Sequence, residues 1–208
     1  MTADRHSDFN AKKWDGRSET YDKKLFDYFR FIQKKVVDMT GLSGDDNFLD
    51  IGCATGWAVC YASTFLKGRG KSYGIDISPG MIEKAKMNSK GYNNLDFFVA
   101  DSKELPFKDS FFNTIICTNS FHHYLTPYNV LCEIRRVLKP QGMLYILDPT
   151  TDGFLMKLID KRVKEKEKEH VKFYSTKEYI GLFNEAGLAY VKSKRIVGPL
   201  KLHIARKT

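Results

Sequence analysis

Along the first forty residues, apolar positions recur at helical spacing. Leu25, Tyr28, Phe29, Ile32 and Val36 lie three and four residues apart with charges between them, which predicts a helix with one buried stripe and one solvated face. Gly41 and the cluster Ser43-Gly44-Asp45-Asp46 end it. The pattern then shortens. Phe48–Ile51 is an apolar run that enters Gly52, Trp57–Leu66 is an apolar helix broken by Gly68 and Gly70, and Ser72–Ile77 is a second strand. Ser78-Pro79 opens the next helix, with serine as N-cap and proline in the first turn. Leu95–Ala100 and Phe111–Cys117 read as strands, the second rich enough in Ile and Phe to be buried on both faces. A helix over Pro127–Leu138 stops at Lys139-Pro140-Gln141-Gly142 and gives way to a strand at Met143–Leu147. Ser175-Thr176-Lys177-Glu178 has the form of a capping box, starting a helix that Gly187 ends. The strands Ala189–Val197 and Leu200–Ala205 are joined by Gly198-Pro199 alone, a link that permits only an antiparallel pair. Seven strands alternating with helices until that hairpin predict an α/β fold: a doubly wound, mostly parallel sheet with an antiparallel C-terminal strand.

Composition narrows the class. The chain has 208 residues, 42% of them hydrophobic and 28% charged, which suits one globular domain and excludes a disordered chain. The net charge of +9 is uneven, because residues 150–208 hold fourteen basic and seven acidic side chains. Any anionic partner would meet that part first. The N-terminal residues contain no apolar run of signal-peptide length. The uncharged stretch between Asp109 and Glu133 is interrupted by Asn113, Asn119, His122, His123, Pro127 and Asn129, so no membrane span is expected. Cys53, Cys60, Cys117 and Cys132 form no C-x-x-C pair, so no metal site is expected. Reduced thiols and a cytoplasmic location are.

The residues that suggest chemistry sit at strand ends. Leu49-Asp50-Ile51-Gly52-Cys53-Ala54-Thr55-Gly56 runs from a strand through a glycine turn into a helix. There, free backbone N–H groups and the positive end of a helix dipole meet a ligand at the carboxyl edge of the sheet. Asp76 ends the second strand, 20 residues beyond Gly56, and a carboxylate there can accept from both hydroxyls of a ribose. Asp101, with Ser102 after it, follows the third strand and suits an exocyclic amino group such as that of adenine. Each residue also has a purely structural alternative: a strand–helix turn for the glycines, a helix cap for Asp76, a turn for Asp101. A nicotinamide-dependent oxidoreductase would share the glycine turn and the acid, but G-x-G-x-x-G is absent, since Cys53 and Ala54 follow Gly52. A non-catalytic cofactor-binding or RNA-associated protein is a further alternative, resting on the basic C-terminal region.

Taken together, Asp50, Gly52, Gly56, Asp76 and Asp101 resemble the class I S-adenosylmethionine-dependent methyltransferases, with their D-x-G-x-G-x-G loop and two downstream acids. Leu105-Pro106-Phe107, Phe111-Phe112-Asn113 and Val137-Leu138-Lys139-Pro140-Gln141-Gly142 are similar to the family's segments before its fourth and fifth strands. Trp14-Asp15-x-x-Ser18-x-x-Tyr21-Asp22 resembles the N-terminal motif of its quinone-biosynthesis and related small-molecule branch, the methyltransferase-11 type. The resemblance implies a Rossmann-like fold in a single methyltransferase domain. Its parts are a helical flap at residues 1–40, a cofactor-binding core at 41–148, an insertion or lid at 149–174, and a helix with a β-hairpin at 175–208. It also implies S-adenosyl-L-methionine as cofactor, S-adenosyl-L-homocysteine as product, and direct in-line methyl transfer to a small-molecule acceptor. RNA- or protein-directed transfer stands as the alternative.

Cofactor contacts are implied for Tyr21, Asp50, Gly52, Cys53, Ala54, Gly56, Asp76, Ile77, Met81, Asp101, Ser102 and Asn119. Three positions depart from the motifs: Ala54 and Gln141 stand where glycines are usual, and Asn113 where an aspartate is. Alanine disfavours positive φ, so a slight shift of the loop is expected. His122 and His123 follow the fourth strand, where the acceptor is expected, and are the candidate catalytic bases. The Cys117–Ser120 stretch lacks N-P-P-Y, which argues against base N-methylation of that kind. Phe121, Tyr124, Phe154, Leu155 and Phe173 are expected to give the acceptor region apolar surface. Lys161–His170 alternates Lys and Glu, which predicts a solvated helix with i,i+3 pairs such as Lys166–Glu169. Lys192, Lys194, Arg195, Lys201, Arg206 and Lys207 are expected to face no acidic partner.

Overall fold

The computed structural model describes residues 3–21 and 26–208. The strands are β1 (Asn47–Ile51), β2 (Lys71–Asp76), β3 (Leu95–Val99), β4 (Phe112–Thr118), β5 (Leu138–Pro149), β6 (Leu188–Val197) and β7 (Leu200–Lys207). They form one sheet in the order β3-β2-β1-β4-β5-β7-β6. All neighbouring pairs up to β5 are parallel, and β7 runs antiparallel to both β5 and β6. The sheet is the seven-stranded, mostly parallel arrangement that the alternation of strands and helices predicts, and it is Rossmann-like as the family resemblance implies. The chain reverses beside β1, where β2 lies on one side and β4 on the other, and in such sheets the crevice at that reversal is where ligands bind.

Side-chain alternation explains why both faces are covered. Ile115, Leu144 and Ile146 point into one buried layer with Val130, Ile134, Tyr179 and Phe183. Their neighbours Ile116, Tyr145 and Leu147 point into the opposite layer with Ile32, Val36, Ala58 and Ala62. The first layer is supplied by α5 (Pro127–Val137) and α7 (Thr176–Glu185), the second by α2 (Phe26–Asp38) and α3 (Trp57–Ser63). Leu25, predicted to begin the stripe of α2, lies outside the described residues.

Local signals act as predicted at two helix starts. Ser78 caps α4 (Pro79–Asn88) by accepting from the Met81 N–H at 3.1 Å. Ser175 and Glu178 form the reciprocal capping box of α7. Elsewhere the structure corrects the sequence reading. Lys139–Gly142 does not precede β5 but lies inside it as an irregularity between the Phe112–Leu138 and Thr114–Met143 pairs. The helix expected over Lys161–His170 is the end of α6 (Phe154–Lys166). Beyond Lys166 the chain leaves helical geometry, so Lys166 and Glu169 are not one turn apart. Glu169 is instead fully buried and ion-paired with Lys13 and Arg17 of α1 (Ala3–Tyr21). Lys201 does meet an acid, since its Nζ lies 3.0 Å from Asp152 Oδ2. Among the described residues no helix is long and apolar enough to cross a membrane.

Candidate active site

A pocket open to solvent lies over the carboxyl ends of β1, β2 and β4. One wall is backbone. The N–H groups of Gly52 and Cys53 both donate to the Ile75 carbonyl at 2.9 Å, so the loop after β1 starts as a continuation of the β1–β2 ladder. Gly52 then takes φ +75° and Gly56 φ +82°. A methyl group at Gly52 would fall on the Ser120 hydroxyl, and one at Gly56 on the Phe97 ring and Ala85. Glycine is therefore needed at both positions for the turn and for close approach. Ala54 adopts φ 47° and Gln141 φ 65°. Both take the left-handed backbone that residues other than glycine rarely adopt, so each position carries local strain.

Asp76 ties this wall together. Its Oδ2 accepts the Ala54 N–H at 3.0 Å and its Oδ1 accepts the Ser78 N–H at 3.0 Å. The Ile77 N–H also pulls on this carboxylate, and because a carboxylate has about four acceptor sites, some acceptor capacity remains for a ligand in the pocket. Burial pushes the Asp76 carboxyl above its ordinary range, against the pull of the Ser78 and Ala54 N–H groups. Asp101 also lines the pocket; its Oδ1 accepts the Lys103 N–H at 3.0 Å and its Oδ2 lies 3.4 Å from the Lys103 ammonium.

Gly52, Ala54, Asp76, Ile77, Met81, Asp101, Ser102, Asn119 and His123 meet on the pocket wall. Asp50, Cys53, Gly56 and His122 lie off it. Gly56 packs against Phe97, and the Cys53 thiol is buried and pushed well above its ordinary range by desolvation. Asp50 is buried, and neither of its oxygens has a hydrogen-bond partner among the described residues. Burial, reinforced by the Asp76 charge, pushes its carboxyl up to about 8. The side chain of Tyr21 lies outside the described residues.

The other wall is built from side chains. Phe121–His123 forms a short 3-10 turn after β4. His122 Nδ1 lies 2.8 Å from Asp148 Oδ1, and the His122 N–H donates to Asp148 Oδ2 at 2.9 Å. Asp148 is fully buried at the end of β5 and also accepts the Tyr179 hydroxyl at 3.4 Å. His123 Nδ1 lies 3.0 Å from the Glu169 carbonyl. A carbonyl only accepts, so Nδ1 carries the proton and Nε2 keeps its lone pair. Desolvation holds the His123 imidazole well below its ordinary range, and so neutral. The rings of His122 and His123 stand 4.0 Å apart. Helix α1 closes this side with His6, Asn10 and Trp14, one face at four-residue spacing. His6 Nε2 donates to the His123 carbonyl at 2.9 Å, and Trp14 meets the His123 ring edge-on at 5.5 Å. Ser18, grouped with Trp14 in the sequence motif, turns its hydroxyl to the Asp15 carbonyl, while Asp15 accepts the Gly80 N–H at the start of α4.

Sequence reasoning missed Asp148, Glu169, His6 and Asn10. Asp148 ends an apolar strand, and an acid in that position was the one available signal. Of the residues expected to give the pocket apolar surface, Tyr124 lines it, whereas Phe121, Phe154, Leu155 and Phe173 do not. Phe121 is in the core, and Phe154 and Leu155 face solvent.

Residues 49–146 match the model of a methyltransferase domain family. A demethylmenaquinone methyltransferase of Lactococcus lactis is 30% identical over 222 residues, covering 92% of this chain and 86% of the relative. The chain belongs to the class I S-adenosylmethionine-dependent methyltransferases. The 27-O-demethylrifamycin SV methyltransferase of Amycolatopsis mediterranei is also 30% identical, over 184 residues; this chain spans 84% of its own length but 64% of that relative's. In fold, a SAM-dependent methyltransferase from Aquifex aeolicus superposes with a TM-score of 0.74 over 93% of this chain and 98% of the other, at 23% identity. The pocket of this methyltransferase suits its cofactor. S-adenosylmethionine is cationic at sulfur, and the backbone wall presents two acids, with the orphaned Asp50 carboxyl behind them.

Proposed function

We propose that this methyltransferase transfers a methyl group to a small organic acceptor bearing an acidic hydroxyl, such as a phenol or enol, with the histidine pair receiving its proton. When bound, S-adenosylmethionine supplies an electrophilic methyl group. On this reading Gly52, Ala54 and the carboxylates of Asp76 and Asp101 hold and orient the cofactor, with Ile77, Met81, Ser102 and Asn119 around it. Asp50, Cys53 and Gly56 shape the loop from behind, and Tyr21 completes the set implied by the family motif. The whole chain, residues 1–208, forms one methyltransferase domain, with the flap, core, insertion and C-terminal helix and hairpin that the family motifs imply.

The observation that carries the acceptor reading is the state of His123. Its ring is on the pocket wall, and its Nδ1–H is committed to the Glu169 carbonyl, which leaves the Nε2 lone pair for an acceptor proton. His122 stands beside it with Nδ1 on Asp148, so the charge that develops has a carboxylate one ring away. The relatives named for demethylmenaquinone and 27-O-demethylrifamycin SV support a small-molecule acceptor. The test is transfer of labelled methyl from S-adenosylmethionine to a panel of phenols, enols and quinols, with bulk RNA and protein alongside. Label in the hydroxyl-bearing small molecules is the expected outcome. Label in RNA or protein with none in small molecules would overturn the reading.

A further inference from the structure

Helix α6 has an apolar side that none of the described residues covers. Phe154 is 78% exposed, Leu155 68%, Leu158 47% and Ile159 37%. Their i, i+1, i+4, i+5 spacing puts them on one face, and no residue of α6 is buried. What fixes the helix is its other side. Asp160 Oδ1 accepts from the Phe173 N–H at 2.7 Å and pairs with His170 Nε2 at 2.7 Å. Four large apolar side chains side by side exceed the single exposed residues of an ordinary surface. The same helix carries exposed Lys157, Lys161, Arg162, Lys164 and Lys166, against Asp160, which is engaged, and Glu165.

We propose that α6 docks the methyltransferase on the surface of an anionic lipid bilayer. Phe154, Leu155, Leu158 and Ile159 enter the boundary between headgroups and acyl chains, and the lysines and Arg162 meet the lipid phosphates. Charge selects this occupant over a second copy of the chain. A two-fold pairing of α6 with itself brings the same five cations face to face, whereas an anionic surface complements them. The docked helix is tied to the histidine pair, because His170, held by Asp160, stands 5.6 Å ring to ring from His122. The proposal rests on the exposed face alone and is independent of which acceptor is methylated.

Co-sedimentation of the full chain with vesicles tests it. Vesicles of equal parts phosphatidylcholine and phosphatidylglycerol should carry the protein down, and pure phosphatidylcholine vesicles should not. Raising the salt should release it. Phe154→Glu/Leu158→Glu replaces exposed side chains and should keep the wild-type melting temperature while lowering vesicle binding at least about tenfold. Lys161→Glu/Lys164→Glu, which leaves the apolar face intact, should lose about tenfold or more on the anionic vesicles. Failure to sediment with anionic vesicles, or binding undiminished in both variants, would overturn the proposal. So would a wild-type dimer in sedimentation velocity that Phe154→Glu/Leu158→Glu dissolves, since that assigns the face to a second copy.

Discussion

The two walls of the pocket are made by opposite means. On the β1–β3 side the working surface is backbone, turned outward by positive φ at Gly52, Ala54 and Gly56 and pinned by Asp76. On the β4–β5 side it is imidazole, set by partners distant in sequence: His122 on Asp148, His123 on the Glu169 carbonyl. The first wall can hold a ligand but offers little to move a proton. The second holds a neutral histidine on the pocket surface and a second histidine on a carboxylate. The contrast teaches that binding and proton handling are separable here, and the two walls meet at Gly52, where a side chain would strike Ser120.

The largest effect that would sharpen this contrast is at Asp148. Asp148→Asn removes the negative partner of His122, and methyl transfer to a hydroxyl acceptor should fall by about 10²–10⁴, the range for losing general-base assistance. Single-turnover rates check this. Turnover of the unaltered enzyme should also hold as the pH is lowered through 6.5, because burial keeps His123 neutral below that value. Gly52→Ala attacks the seam. Its positive φ and the contact with Ser120 should together cost about 2–4 kcal/mol of stability, seen as a lower urea midpoint. Asp76→Ala tests the backbone wall by itself. Calorimetric affinity for S-adenosylhomocysteine should weaken by about 1.5–3 kcal/mol, the range for hydrogen bonds to a charged group. Unchanged affinity would remove Asp76 from the cofactor site.

A pH-dependent effect concerns Asp50. Its carboxyl is pushed up to about 8 in the fold, so the folded state holds a proton that the unfolded chain releases near pH 4. Stability of the ligand-free protein should therefore fall as the pH rises from 4 to 8, by up to about 1.4 kcal/mol per pH unit from this group. Asp50→Asn should remove that slope in a series of urea titrations; an unchanged slope would mean that Asp50 is ionised in the fold.

The difference between the walls also explains what the sequence made legible. The succession of strands and helices, the Ser78 and Ser175 caps, and the placement of Asp76 and Asp101 at strand ends follow from period, glycine spacing and local hydrogen bonding. These are properties of neighbouring residues. The partners of the histidines are not local. Asp148 reaches His122 from a strand that follows an intervening helix, and Glu169 sits in a Lys-Glu alternation that reads as solvated helix until its burial against Lys13 is seen. Lys139–Gly142 misled for a related reason. Pro and Gly normally stop an element, whereas here they are absorbed as an irregularity within β5, with Gln141 accepting positive φ.

The separation of binding from proton handling is tested most directly by measuring two quantities on His122→Ala/His123→Ala. S-adenosylhomocysteine affinity by titration calorimetry should stay within about twofold of the unaltered enzyme, while methyl transfer to a hydroxyl acceptor falls by about 10²–10⁴. Full transfer in that variant, or a loss of cofactor affinity as large as the loss of rate, would contradict the account.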